Sequence, residues 1–235
     1  MFPLHAVSSR CDVSALPIIS QGLALIFDMD GVIIDSNPVH TKAWVSYLAG
    51  FGITIDNLEE RMYGRRNDEL VRDLFGDQVT SEEVFRHGAA KERLYRELMK
   101  PELSQRMVPG VVDFIRHAAH VPTGVGTNAE PANVAFVLEA AGLEGCFQAI
   151  VDGHRVANPK PHPEVYLRVA ALLQMDPKNC IVFEDSYTGT AAASAAGARV
   201  VGVQTSHAKF PDVDLAIRDF CDPELFSWLA SQRPQ

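Results

Sequence analysis

Leu23-Ala24-Leu25-Ile26-Phe27-Asp28-Met29-Asp30-Gly31 is the stretch on which the fold of this chain turns. An unbroken apolar run predicts a strand covered on both faces, as in a parallel sheet. Two carboxylates one residue apart follow it directly. Burying a charge is costly unless a partner or a metal offsets it. At the carboxyl end of a strand in an α/β sheet, such a cost marks a ligand site. The pair suggests a nucleophile and an acid/base sharing a metal ion. The bland alternative is a turn-capping pair at a strand end, with Gly31 in the turn.

Working outward, the chain resumes with Asp35-Ser36-Asn37-Pro38, a helix start with Ser36 or Asn37 as cap and Pro38 in the first turn. Helical spacing then runs to about Lys100, through Val39, Ala43, Trp44, Tyr47 and Leu48, then Leu70, Val71, Leu74 and Phe75, then Leu94, Tyr95, Leu98 and Met99. Beyond Pro109 the pattern changes to strand–helix alternation. Helices are expected at Val111–Ala119, Pro131–Ala141, Pro163–Leu173 and Thr188–Ala196. Strands are expected at Thr123–Gly126, Ala149–Val151, Cys180–Phe183 and Arg199–Val203. Alternation of this kind implies a parallel sheet with helices on both faces. The helical block after the first strand is then an inserted second domain.

The 235 residues suffice for one sizeable domain and a smaller one, and 47% hydrophobic with 22% charged residues is an ordinary globular balance. The formal net charge of −9 argues against nucleic acid as a partner. It also means that local cations or a metal must receive any anionic substrate. Cys11, Cys146, Cys180 and Cys221 form no CxxC, which suits a reduced, cytoplasmic setting. No apolar stretch is long enough to span a bilayer, and residues 1–21 read as a loose leader without signal-peptide character.

Polar residues stand at strand ends or helix starts in four places: Asp28/Asp30, Thr127/Asn128, Lys160 and Glu184/Asp185. Strand carboxyl ends of an open parallel sheet converge on one edge, so the four sets should meet. Carboxylates, a hydroxyl, an amide and an ammonium suit Mg²⁺ and a phosphate, because Mg²⁺ takes hard oxygen ligands and cations hold phosphate oxygens. Taken singly, Thr127 and Glu184/Asp185 could simply cap the helices that follow them.

With these residues in order, the chain resembles the haloacid dehalogenase superfamily, in the branch with a helical cap of the C1 type after the first strand. Asp28-Met29-Asp30-Gly31-Val32 matches the first motif, Thr127-Asn128 the second, Lys160 within Pro159-Lys160-Pro161-His162-Pro163 the third, and Glu184-Asp185-Ser186 with Gly189 the acidic fourth. The segment Asp35-Ser36-Asn37-Pro38-Val39-His40, then Ala43-Trp44, is similar to β-phosphoglucomutase-like phosphatases and phosphomutases. Lys91 stands where that branch has a cap lysine. In the mutases a cap arginine follows a glycine by three residues; here Gly64 is followed by Arg65-Arg66-Asn67. The second motif also differs, with Asn128-Ala129-Glu130 after Thr127.

The resemblance implies a Rossmann-like α/β core over residues 22–36 and 107–235, with a four- or five-helix cap over 37–106. It implies a Mg²⁺-dependent phosphatase acting on a small phosphorylated metabolite, a sugar phosphate first among them, through an aspartyl-phosphate on Asp28. Asp30 serves as acid/base, and Thr127 and Lys160 complete the catalytic set. Asp28, Asp30, Glu184 and Asp185 hold the metal. Asn128, His40, Arg65, Arg66 and Lys91 are the candidates for contacting substrate. A phosphomutase is the alternative, and a catalytically idle binding protein on the same fold is a third. A second Asp after Asp28 argues against dehalogenase chemistry, since a halide leaves without an acid.

Overall fold

The structure is a computed structural model that describes residues 18–62, 65–76 and 78–235. Six parallel strands, β1 (Ala24–Phe27), β2 (Thr123–Gly126), β3 (Ala149–Val151), β4 (Cys180–Glu184), β5 (Arg199–Val203) and β6 (Leu215–Ile217), form one sheet in the order β3-β2-β1-β4-β5-β6. The strand ending in Asp28 therefore lies inside the sheet, between the strands that end near Thr127 and Asp185.

Strand alternation sends successive residues to opposite faces. Leu25 and Phe27 of β1 pack, with Ile181, Phe183, Val201 and Val203, beneath α5 (Val111–His117), α6 (Pro131–Ala141) and α9 (Pro223–Ser231). Ala24 and Ile26 face the other way, onto α7 (Glu164–Leu172) and α8 (Tyr187–Ala195). Directly below Asp28, the Phe27 and Phe183 rings stack at 4.9 Å, with Phe114 and Phe220 against them. Aromatic pairs of this kind add about 1 kcal/mol each beyond area burial. The floor of the strand-end edge is thus rigid.

Between β1 and β2 lie α1 (Asn37–Ala49), α2 (Leu58–Met62), α3 (Asn67–Phe75) and α4 (Ser81–Met99). They enclose a core of their own around Trp44, Leu48, Leu70, Val71 and Leu74. Thr80 and Glu83 close a reciprocal capping box at the start of α4. Val39, Ala43, Tyr95 and Met99 belong instead to the cluster beneath α5, so α1 and α4 join the helical block to the sheet. The chain leaves and re-enters the sheet region at one neck. There Asp35 N–H donates to the Arg106 carbonyl at 2.8 Å, and Val108 N–H to that of Ile33 at 3.1 Å.

The expected strands and helices after Pro109 are present with ends shifted by at most two residues, the tail of the first of these helices tightening into a 3-10 turn at Ala118–His120. The sequence reading did not include β6 or α9. β6 has three residues in a polar stretch, too few for a periodic signal. α9 opens with Asp222, whose carboxylate accepts from Glu224 N–H at 3.0 Å, followed by Pro223 at the helix start. Residues 1–17 of the expected leader lie outside the described residues. Ile19, at its end, is buried in the core, and Ser20 Oγ donates to the Gln232 carbonyl. Cys146 and Cys180 are free thiols, but Cys221 is disulfide-bonded, which departs from the reduced reading for that residue. No helix of the described residues is long and apolar enough to cross a membrane.

Candidate active site

The sheet brings the four sequence-predicted sets to one edge. Lys160 Nζ donates to Asp28 Oδ1 at 2.9 Å, to Glu184 Oε1 at 2.6 Å and to the Gly126 carbonyl at 3.0 Å. One ammonium thus ties together the ends of β1, β2 and β4. Burial works against its charge, but Asp28 and Glu184 outweigh burial and raise its pKa. Thr127, at the end of β2, is buried, and its Oγ1 accepts from Ala129 N–H at 3.1 Å. Asn128 Oδ1 accepts from Lys160 N–H at 3.4 Å.

Asp28, Glu184 and Asp185 are buried, and each offers a carboxylate oxygen within 4.8 Å of the others. Burial, with Glu184 and Asp30 adding to it against Lys160, pushes Asp28 up to about 7. Burial, reinforced by Glu184 and Asp28, raises Asp185 well above the carboxylate range. One ammonium does not balance this set, and its closely spaced oxygens are of the kind that suits a hard divalent cation. Two glycines leave the room. A Cβ on Gly31 would lie 1.8 Å from Asp185 Oδ2, and one on Gly189 would lie 1.9 Å from Glu184.

Glu184 is the most heavily engaged of the three. Its Oε1 accepts from Lys160 and from Tyr166 Oη at 2.5 Å. Its Oε2 accepts from the Asp185 and Ser186 N–H groups and from Ser186 Oγ. A carboxylate offers about four lone-pair directions, so these donors leave Glu184 suited to bracing Lys160 more than to direct coordination. Asp185 Oδ2 accepts from Asn37 Nδ2 at 3.2 Å and from Ser206 Oγ.

Asp30 points away from this cluster, towards the helical block. Its Oδ1 accepts from Ser36 Oγ at 2.6 Å and lies 3.4 Å from His40 Nε2. Burial would raise its pKa, but His40 and Ser36 prevail and lower it. His40 stacks on Tyr95 at 3.7 Å, and its Nδ1 lies 2.7 Å from Lys91 Nζ. Lys91 is buried and pairs with Glu92 at 2.8 Å. Glu92 also accepts from Asn67 and Asn133, each at 2.7 Å. Burial opposes the Glu92 carboxylate, but Lys91, His40 and Asn133 hold its pKa at about 2.

One pocket spans both groups. Asp28, Asp30, Thr127, Asn128, Lys160 and Asp185 line its sheet end, and His40, Trp44, Arg65, Asn67 and Lys91 line its far end. Arg65 reaches it while paired with Asp73 at 3.0 Å. Arg66 does not line it and pairs with Asp68. Gly64, from which the mutase spacing is counted, lies outside the described residues. The sequence reading missed Asn37, Asn67, Glu92, Asn133, Tyr166 and Ser206, all drawn in by contacts between distant segments that no spacing encodes. Of the two cap candidates Ser36 and Asn37, Ser36 stands at the cap position of α1, but its hydroxyl goes to Asp30 and makes no capping bond.

Comparison with known proteins agrees with this geometry. The haloacid dehalogenase-like hydrolase family model matches residues 23–197. Fructose-1-phosphate phosphatase YqaB of Escherichia coli strain K12 is 32% identical over 184 residues, covering 77% of this chain and 95% of the relative. Hexitol phosphatase B of the same strain is 32% identical over 193 residues, covering 80% and 86%. The crystal structure of β-phosphoglucomutase from Clostridium difficile superposes with a TM-score of 0.76 at 27% identity, covering 90% of this chain and 97% of that one. The match spans the strand of Asp28 and the helix after Asp185, so the chain belongs to the haloacid dehalogenase-like hydrolases.

Proposed function

We propose that this protein is a Mg²⁺-dependent phosphatase that hydrolyses a small sugar or polyol phosphate through an aspartyl-phosphate on Asp28. The observation that carries the reading is the pairing of Asp28, held by Lys160, with Asp30, held by Ser36 and His40, at one end of one pocket. The fructose-1-phosphate and hexitol phosphatases among its relatives support the substrate class.

Phosphoryl transfer is catalysed chiefly by positioning and charge neutralisation. The Asp28 carboxylate attacks phosphorus as the ester P–O bond breaks. Lys160 screens Asp28 and the phosphoryl oxygens, and Thr127 and nearby main-chain N–H groups hold those oxygens. Asp30 gives a proton to the leaving oxygen, then takes one from the water that cleaves the aspartyl-phosphate. His40 and Ser36 keep Asp30 ionised, the form the second step needs, and the approach of an anionic phosphate favours the protonated form for the first. Asp28, Asp185 and the Asp30 carbonyl would hold a Mg²⁺ ion, which would supply charge neutralisation beside the buried carboxylates. Glu184 keeps Lys160 in place.

The test is Asp28→Asn with p-nitrophenyl phosphate and Mg²⁺. The variant is expected to lose on the order of a thousandfold or more in kcat; hydrolysis at the wild-type rate would remove Asp28 as nucleophile. The β-phosphoglucomutase likeness keeps a phosphomutase as the second reading. Incubation with β-glucose 1-phosphate separates the two: free phosphate marks the hydrolase, and glucose 6-phosphate without phosphate release marks the mutase.

A further inference from the structure

The far end of the pocket has a charge inventory that phosphoryl transfer does not explain. Among the described residues, Lys160, Lys91 and Arg65 line the pocket, and each is engaged by carboxylates of this chain. Lys160 serves Asp28 and Glu184, Lys91 is buried against Glu92, and Arg65 is tied to Asp73. Facing the same space is a carboxylate the catalytic reading leaves idle, that of Glu130, at the start of α6. Arg96 of α4 meets its Oε1 at 2.5 Å, and the same Arg96 nitrogen donates to Asn133 Oδ1 at 2.6 Å. Glu130 Oε2 takes no hydrogen bond among the described residues, which leaves it open to a hydroxyl donor.

We propose that Glu130, steadied by Arg96, is a specificity-determining residue that accepts hydrogen bonds from leaving-group hydroxyls and bars substrates carrying a second phosphate. This inference rests on the phosphatase reading above. A phosphate monoester carries a charge of about −1.5 to −2 at neutral pH. In the pocket it meets Glu130, whose partner Arg96 does not line that space, while Lys160, Lys91 and Arg65 are each held by a carboxylate of this chain. Like charges set side by side discriminate strongly against the wrong ligand. An uncharged polyol chain loses nothing there: Glu130 and Asn67 supply polar contacts, and Trp44, Met62 and Leu70 an apolar wall. The same exclusion works against a sugar bisphosphate intermediate, and so against the phosphomutase alternative.

The experiment measures kcat/KM with Mg²⁺ for fructose 1-phosphate against fructose 1,6-bisphosphate, and for glucose 1-phosphate against glucose 1,6-bisphosphate. The wild type should favour the monophosphate of its better pair by about a hundredfold or more, chiefly through KM. Glu130→Gln also releases Arg96, and should cut that preference at least about tenfold by lowering KM for the bisphosphate. Arg96→Met, which leaves Glu130 uncompensated, should widen the preference; it gives an independent reading of opposite sign if Glu130→Gln folds poorly. Equal use of mono- and bisphosphate by the wild type overturns the role of Glu130 and leaves the phosphatase reading standing. So does a preference that neither variant changes. No hydrolysis of any monophosphate by folded, Mg²⁺-saturated wild type overturns both.

Discussion

Replacing Glu92 by Gln removes the carboxylate at the centre of the buried network while keeping its shape. In the wild type that carboxylate receives Lys91, Asn67 and Asn133 within 2.8 Å, with His40 at 3.9 Å. Its pKa falls from the ordinary 4.5 to about 2, outweighing the burial that would raise it. At about 1.4 kcal/mol per pH unit, that difference is worth about 3 kcal/mol of stability. The sign follows from the lowered folded-state value. The contribution is complete above about pH 4.5 and drains away as pH falls towards 2. Glu92→Gln also strands the Lys91 ammonium, and breaking a buried pair in this way costs about 3–5 kcal/mol. Urea unfolding at pH 7 should therefore place the variant about 3 kcal/mol or more below the wild type. The gap should shrink markedly at pH 3. Adding Lys91→Met removes the stranded charge and should recover part of the loss, as coupled neighbours do in a double-mutant cycle. A single variant within 1 kcal/mol of wild type at pH 7, or a gap undiminished at pH 3, would refute the reasoning, as would a double variant less stable than the single one.

Two further outcomes follow from the sheet end of the pocket. Asp28 sits at about 7, above its ordinary 3.8, so its contribution to stability is complete below pH 3.8 and lost as pH rises through 7. Chelator-treated protein should melt several degrees lower at pH 8 than at pH 6, with saturating Mg²⁺ closing the gap; equal melting temperatures without metal would count against the buried carboxylate cluster as a cation site. Gly31→Ala sets a Cβ into Asp185 at a backbone φ of 78°, where a side chain is strained. Calorimetric titration should show Mg²⁺ affinity weakened on the order of tenfold to a hundredfold, and an unchanged affinity would show that Asp185 yields without consequence.

The legible part of this protein is what is local in sequence. The run Leu23–Phe27 announces a buried strand, and the carboxylates just after it go different ways, Asp28 to Lys160 and Asp30 to Ser36. Thr127 and Asp185 could be placed because both follow apolar runs that had to become neighbouring strands. Lys160 sits in a proline-rich loop with no periodicity, and its family motif is what ties it to the other three sets. The polar network was not legible. Asn67, Glu92 and Asn133 meet from three different helices, and each looks like a solvated helix residue until the helices pack. Lys91 lines the pocket, but its burial against Glu92 and His40 depends on how α1 and α4 pack together, which no spacing encodes.

The neck at Asp35 and Arg106 has an evolutionary reading. Both ends of the helical block leave the sheet within one hydrogen bond of each other, just past the strand that ends at Asp28. A segment anchored at a single doorway can drift, lengthen or be exchanged while the strand ends that carry Asp28, Thr127 and Asp185 keep their register. One inherited reaction can then be offered to many leaving groups. New substrates for this architecture are more readily reached by grafting between Asp35 and Arg106 than by altering the sheet.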